Sequence, residues 1–170
     1  MRTDLTLPVT LSARSGPVVL RGARPDDLDA LITLLADDPI SAARGDRADD
    51  SDRAAYAAAL RAVQEEQSNM ILVAETPTGE VVATLQLTRI PGLARRGATR
   101  LLVEAVRVQS ALRSTGIGAA LMGWVAETAA RELGTSLIQL TSDAQRVDAH
   151  RFYERLGYTG SHLGFKLDLS

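Results

Sequence analysis

The chain of 170 residues has no cysteine, one lysine (Lys166) among 19 basic residues, two histidines and only 4% aromatic residues. Without cysteine, disulfides, thiolate nucleophiles and cysteine-ligated metal sites are excluded. His150 and His162 lack the spacing of a zinc pair on one helix face, so no metal is expected. No apolar run approaches the ~18 residues that span a bilayer. The N-terminus lacks a basic start followed by an apolar run, so no signal peptide is expected and the cytoplasm is the default location. A formal net charge of −2 leaves no global basic field for nucleic acid or a membrane surface. The excess of arginine over lysine, in so alanine-rich a chain, reads as genome composition rather than a binding device.

What is present is ordinary for a globular domain: 45% hydrophobic and 24% charged residues. The length fits one domain with one sizeable core. Residues 1–16 read as an N-terminal extension, a tail or an added edge strand, and residues 17–170 as the domain. Val18 to Arg21 predicts a short strand. Pro25-Asp26-Asp27 predicts a helix start, with Leu28, Leu31, Ile32 and Leu35 at helical spacing and Asp38-Pro39 as its stop. Residues 37–52, rich in Asp, Arg and Ala, read as a loop before a second helix from about Ser51. Met70–Ala74 and Val81–Ile90 form a hairpin about Pro77-Thr78-Gly79. After a turn at Pro91 to Gly97, Arg100–Val108 reads as a long strand. Gly116 to Leu133 is a helix with Ile117, Leu121, Trp124, Val125 and Thr128 on its buried face. Leu137–Leu140 is a strand, Ser142 or Asp143 caps a helix ending near Leu156, and Gly164 to Leu169 alternates as a final strand. The order is β-α-α-β-β-β-α-β-α-β, an α/β fold without internal repeats.

The informative stretch is the run from Val106 to Met122. It reads as a strand, a polar turn and Arg113-x-x-Gly116-x-Gly118 opening an apolar helix. Free N–H groups at such a helix start can hold a phosphate, and glycine lets a ligand approach the main chain. A P-loop needs G-x-x-x-x-G-K-[ST], which is absent. A dinucleotide fold needs a third glycine where Leu121 stands.

Arg113-x-x-Gly116-x-Gly118 resembles the acyl-CoA pyrophosphate loop of the GCN5-related N-acetyltransferases (GNAT). Ala149-His150-Arg151-Phe152-Tyr153-Glu154-Arg155-Leu156-Gly157-Tyr158 is similar to that family's late Tyr-Glu-x-x-Gly-aromatic motif. The resemblance covers about residues 18–168. It implies a central, mixed, mostly antiparallel twisted sheet flanked by helices, and a chain that moves an acetyl group from acetyl-CoA to a primary amine of a small molecule or peptide. It implies a bulge and a splay near the end of the fourth strand of the family's fold. Many relatives carry Asn seven residues before the tyrosine, where this chain has Arg146.

The resemblance also implies roles. The N–H groups of Arg113, Ser114, Thr115, Gly116, Ile117 and Gly118 would hold the pyrophosphate, with the Arg113 side chain adding a charge-assisted bond. Val106, Arg107 and Val108 would pair with the pantetheine amides as a strand would. A backbone N–H near Val106 would stabilise the oxyanion. Tyr153 matches the family's general acid: a phenol of pKa near ~10 stays protonated at neutral pH and can supply a departing thiolate. Its alternative is a core tyrosine beside Phe152 and Leu156.

Glu104 is a charge in an apolar strand, and burying it alone would be costly. It is expected either to take the ammonium proton or to pair with Arg89 or Arg107. Thr141, Ser142 and Asp143 would face the cleft. Arg146 and His150 read as helix-surface residues, with Arg146 able to reach a phosphate. Asp37, Asp38, Asp46, Asp49 and Asp50 could favour a cationic acceptor. A homodimer is compatible with the family. A sensor that binds acetyl-CoA without turnover is the alternative; a tRNA-acetylating toxin is disfavoured by the acidic balance.

Overall fold

A computed structural model describes residues 5–38, 40, 42, 50–167 and 169. Six strands form one sheet in the order β1-β2-β3-β4-β5-β6: β1 (Val9–Ala13), β2 (Gly16–Gly22), β3 (Asn69–Glu75), β4 (Val81–Ile90), β5 (Arg100–Val108) and β6 (Leu137–Leu140). The first four pairings are antiparallel and β5–β6 is parallel. The expected mixed, mostly antiparallel sheet is therefore present.

Among the described residues, four helices of eight residues or more flank the sheet. A 3-10 turn at Pro25–Asp27 leads into α1 (Leu28–Ala36), as the proline and acids predict. A second 3-10 turn precedes α2 (Arg53–Glu65). α3 (Ile117–Trp124) continues through a π turn, Val125–Ala129, to Ala130–Glu132. α4 spans Val147–Arg155. Leu28, Leu31 and Ile32 of α1 and Leu60 of α2 pack with Val73 on one face. On the other, Ile117, Leu121, Met122 and Val125 of α3 meet Leu20, Leu72, Leu85, Leu87, Leu101 and Val103. The central strands are apolar on both faces because both are covered. Thr84, buried among them, donates from Oγ1 to the Leu72 carbonyl at 2.8 Å.

The structure decides the N-terminal end of the sheet and departs from the sequence reading at the C-terminal end. Of the two options for the N-terminal residues, the added edge strand is the one formed: β1 pairs with β2 from Val9↔Leu20 to Ala13↔Gly16. At the other end, the alternating segment after Gly164 makes no strand among the described residues. Its Leu163, Phe165, Leu167 and Leu169 are 84–90% exposed. Alternation reports the two faces of an extended chain, but this segment makes no recorded pairing with the sheet among the described residues. Most of the loop at 37–52, including Asp46 and Asp49, lies outside the described residues.

A buried ion pair ties β2 to the start of α1. Arg21 donates from Nη1 and Nη2 to Asp27 at 2.7 and 2.9 Å, and from Nε to Glu75 on β3 at 2.7 Å. Asp27 also accepts the Arg24 N–H at 2.7 Å.

Candidate active site

The expected irregularity in β5 is present. Thr84 pairs with Arg107 and Gln86 with Glu104, so two residues, Ala105 and Val106, stand opposite Leu85. Ala105 has φ +50, the left-handed conformation that one extra residue in a strand can demand. β6 pairs with β5 only from Arg100↔Leu137 to Val103↔Leu140. β6 ends at Leu140, just before the bulge, so Glu104 to Val108 border a gap without a β6 partner.

The gap opens toward the start of α3. Ser114 and Gly116 have positive φ, +62 and +99, and no side chain caps the helix. Ala120 donates to the Gly116 carbonyl at 2.9 Å. The N–H groups of Ile117, Gly118 and Ala119 therefore have no acceptor in the helix, and the loop before it adds its own amides. This cradle suits an anionic group. A Cβ on Gly116 would stand 2.8 Å from the Arg14 nitrogen, whereas one on Gly118 would meet Phe152 at 3.4 Å, an ordinary contact.

The cradle is braced from the β1–β2 turn, which the sequence reading did not connect to it. Ser15 donates to the Thr115 carbonyl at 3.1 Å, and Arg14 Nη2 to the Ser114 carbonyl at 2.6 Å. These bonds engage two of the loop's acceptors.

The arginines are arranged differently from expectation. Arg113 donates from Nε to the Val108 carbonyl at 3.2 Å and from Nη2 to the Asp37 carbonyl at 2.6 Å. The Asp37 carboxylate accepts the Ser110 N–H at 2.6 Å. Arg107 donates from Nη1 to the Val106 carbonyl at 2.9 Å. Guanidinium groups thus cover the Val106 and Val108 carbonyls.

Arg146 is no solvated helix residue. It forms a two-pronged ion pair with Asp38, with Nη1 to Oδ1 at 2.9 Å and Nη2 on Oδ2, and both side chains are largely buried. Asp37 and Asp38 are therefore engaged with the chain's own donors rather than open to a cationic ligand. Together they join the end of α1 to both banks of the gap: Asp37 to the segment after β5, Asp38 to the start of α4. No local pattern signals these pairs, because their partners lie 73 and 108 residues away.

Tyr153 is half-buried on α4, its ring edge-on to Phe152 and Tyr158 at centroid distances of 5.2 and 5.8 Å. Burial pushes its phenol above the ordinary value, and the positive charges of Arg107 and Arg146 pull partly back. Burial likewise raises the Tyr158 phenol. The Tyr158 hydroxyl and Ser142 Oγ are buried without a hydrogen-bond partner.

Glu104 is exposed on β5, so the cost of burying a lone carboxylate does not arise. Neither expected ion pair forms among the described residues: Arg89 donates instead to the Leu133 carbonyl at 3.0 Å. Asp143 accepts the Gln145 N–H at 2.9 Å in the turn before α4, and Arg146 rather than Asp143 stands at the helix cap. His150 is half-buried against the Asp143 carbonyl, Nε2 to oxygen 2.8 Å. Thr141 is exposed at the end of β6. A hollow of about 550 Å³ lies between α1 and the start of β4, lined in part by Asp37, Gln109 and Ser110.

A sheet with a gap at a bulge beside an uncapped, glycine-led helix is the architecture of an acetyltransferase. Residues 28–158 match the acetyltransferase (GNAT) family, and the chain belongs to it. Over 63 residues it is 41% identical to an aminoalkylphosphonate N-acetyltransferase of Salmonella typhimurium, a match covering 37% of this chain and 40% of that protein. The chain thus spans well under half of that curated relative's length. A Bacillus halodurans C-125 crystal structure, described as a transcriptional regulator, superposes with a TM-score of 0.83 at 39% identity, over 89% of this chain and 99% of that one. A Trypanosoma brucei acetyltransferase superposes at 0.67 with 26% identity, over 89% and 99%.

Proposed function

We propose that the chain transfers an acetyl group from acetyl-CoA to a primary amine of a small molecule or peptide, by direct attack in a ternary complex. The observation that carries this reading is the continuity of three features: the bulge at Ala105–Val106, the unpaired edge of β5 beyond it, and the open amides at the start of α3. The residues fit the donor. Amides from Ser114 to Ala119 hold its pyrophosphate, and the exposed edge from Val106 to Val108 pairs with its pantetheine arm, displacing guanidinium groups from the carbonyls. Acetyl-CoA supplies an activated thioester.

The Val106 N–H, at the bulge, stabilises negative charge on the thioester oxygen; one such donor is worth ~3 kcal/mol. Tyr153 keeps its proton because burial raises its pKa, and donates it to the departing sulfur. Glu104, exposed and without an ion pair, receives the proton of the attacking ammonium directly or through water. The Salmonella relative makes aminoalkylphosphonates the first acceptors to assay.

Acetyl-CoA is expected to raise the thermal midpoint of the wild type. Gly118→Trp, which fills the mouth of the cradle, is expected to abolish the rise while circular dichroism shows the fold intact. No shift in the wild type at millimolar acetyl-CoA rejects the reading. The second reading, a sensor that binds acetyl-CoA without turnover, is favoured by the description of the Bacillus structure as a transcriptional regulator. An amine screen with free-thiol detection separates the two: CoA release with any acceptor excludes the sensor.

A further inference from the structure

Resting on the acetyl-transfer reading, we propose that Asp38 and Arg146 are positioning residues: their ion pair fixes α4, and with it the Tyr153 hydroxyl, relative to β5. Arg146 holds Asp38 with both terminal nitrogens, and the two side chains are only 21 and 11% exposed. Among the described residues, Asp27 and Asp38 are the only buried acids. A buried ion pair is a weak source of net stability, because desolvation offsets the attraction. A two-pronged guanidinium–carboxylate contact does, however, fix both distance and orientation. Geometry is what this pair supplies.

α4 needs such a tie. It has no buried residue of its own, and Phe152 and Tyr153 are only partly covered by the core on the α3 face. Apolar packing therefore holds this helix weakly. Polar contacts gather at its start: the His150 ring on the Asp143 carbonyl at 2.8 Å, and Arg146 on Asp38. At its far end the Tyr158 N–H returns to the Tyr153 carbonyl at 3.0 Å. Tyr153 follows Arg146 by seven residues, about two helical turns, so both lie on one face of α4. An arginine anchored at the cap thus sets where the phenol two turns on is carried.

The other end of the tie is also fixed. Asp38 follows α1, whose Leu28, Leu31 and Ile32 pack with Val73 on the face opposite α3. The neighbouring Asp37 accepts the Ser110 N–H on its carboxylate at 2.6 Å and Arg113 on its carbonyl at 2.6 Å. The segment after β5 and the start of α4 are therefore both tied to one dipeptide at the end of α1. Their spacing matters because the acid and the oxyanion donor act on one thioester, Tyr153 from α4 and the Val106 N–H from β5. A misplacement of about 1 Å can cost ~10²-fold in rate. The pair also acts on the phenol by charge. Arg146 at the start of α4 and Arg107 on β5 both lower its value, and Tyr158 is the titratable side chain packed against its ring. The Asp38 carboxylate offsets the Arg146 charge.

Steady-state transfer from acetyl-CoA to the fastest acceptor of the amine screen, aminoalkylphosphonates included, tests this together with ultraviolet titration of the phenol. Asp38→Asn and Arg146→Gln are each expected to lower kcat by about 10-fold or more, with the KM for acetyl-CoA within about two-fold of the wild type. Arg146→Lys, which keeps the charge but not the fork, should fall between the wild type and Arg146→Gln. The double variant Asp38→Asn/Arg146→Gln should be no slower than the slower single variant, because the pair acts as one unit. It leaves no charge buried alone, so it keeps the test open where a single variant fails to fold by circular dichroism. The titration difference between each chain and its Tyr153→Phe counterpart reads the phenol alone. Asp38→Asn is expected to lower its titration point and Arg146→Gln to raise it, opposite shifts that a merely structural role would not produce. Wild-type kcat in both single variants overturns the proposal. So does a loss confined to the KM for acetyl-CoA, or phenol shifts of the same sign. No CoA release by the wild type with any amine instead overturns the acetyl-transfer reading, and the proposal falls with it, so the two failures are told apart.

Discussion

At the scale of single residues, the Tyr153 hydroxyl and the Glu104 carboxylate make separable contributions. Tyr153→Phe keeps the ring packed against Phe152 and Tyr158, so acetyl-CoA binding and the thermal midpoint should hold. Loss of the acid should lower kcat by ~10²-fold or more. Because burial raises this phenol, the wild-type rate should stay level past pH 9, and any alkaline fall that Tyr153 causes should vanish in the variant. A rate unchanged by Tyr153→Phe means that water protonates the sulfur. Glu104→Gln should instead depress the rate most at low pH, where the amine carries its proton. A pH profile parallel to the wild type removes Glu104 as the base.

The residue reading was legible where position follows from a local motif: Gly116 opens α3 at positive φ and Tyr153 lies on α4. It failed where a side chain's role depends on a distant partner. Arg146 looked solvated because Asp38 is remote in sequence. Glu104 looked buried because its strand is apolar, although β6 ends before it and leaves it open to solvent.

At the scale of elements, the cradle is a joint product of α3 and the β1–β2 turn. Gly116→Ala and Gly118→Ala, equal on paper, should differ in effect. The first places a Cβ at φ +99 and 2.8 Å from the Arg14 nitrogen, so it must either strain or push the hairpin away. A loss of about 2 kcal/mol in urea unfolding is expected. The second meets only the end of the Phe152 ring and should cost under about 1 kcal/mol. Equal losses would mean that the hairpin yields freely and does not brace the loop. The helices and hairpin were readable from periodicity, capping residues and Gly/Pro punctuation. The contact between the β1–β2 turn and residues 114–116 was not, since it depends on where two distant loops are carried by a finished sheet.

At the scale of the whole molecule, stability at acid pH should depend on the Arg21–Asp27 pair. Burial pushes the Asp27 carboxyl up, but the Arg21 and Arg24 donors outweigh it and the net shift is downward; Asp27 in turn raises the Arg21 guanidinium. With a folded value below the unfolded value of ~3.9, this carboxylate stabilises the fold above pH 4, and the contribution is lost as pH falls through the lower value. Arg21→Leu, which leaves Asp27 buried and unpaired, should cost roughly 3 kcal/mol at pH 7, with the gap to wild type narrowing below pH 3. A gap that stays constant with pH assigns the loss to packing alone.

The bulge in β5 has one more consequence, for which half of the molecule each side chain serves. Successive strand residues point to opposite sides, so Glu104 and Arg107, an odd number apart, would ordinarily oppose each other. Their partners Gln86 and Thr84 are an even number apart and align with Ile71 and Val73, which pack on the side of α1 and α2. Ala105 is thus a parity change written into the chain. Were the same residues to pair with β4 as a regular strand, without the bulge, Arg107 and Val108 would turn to the opposite side, leaving every amino acid of both motifs intact and their geometry reversed.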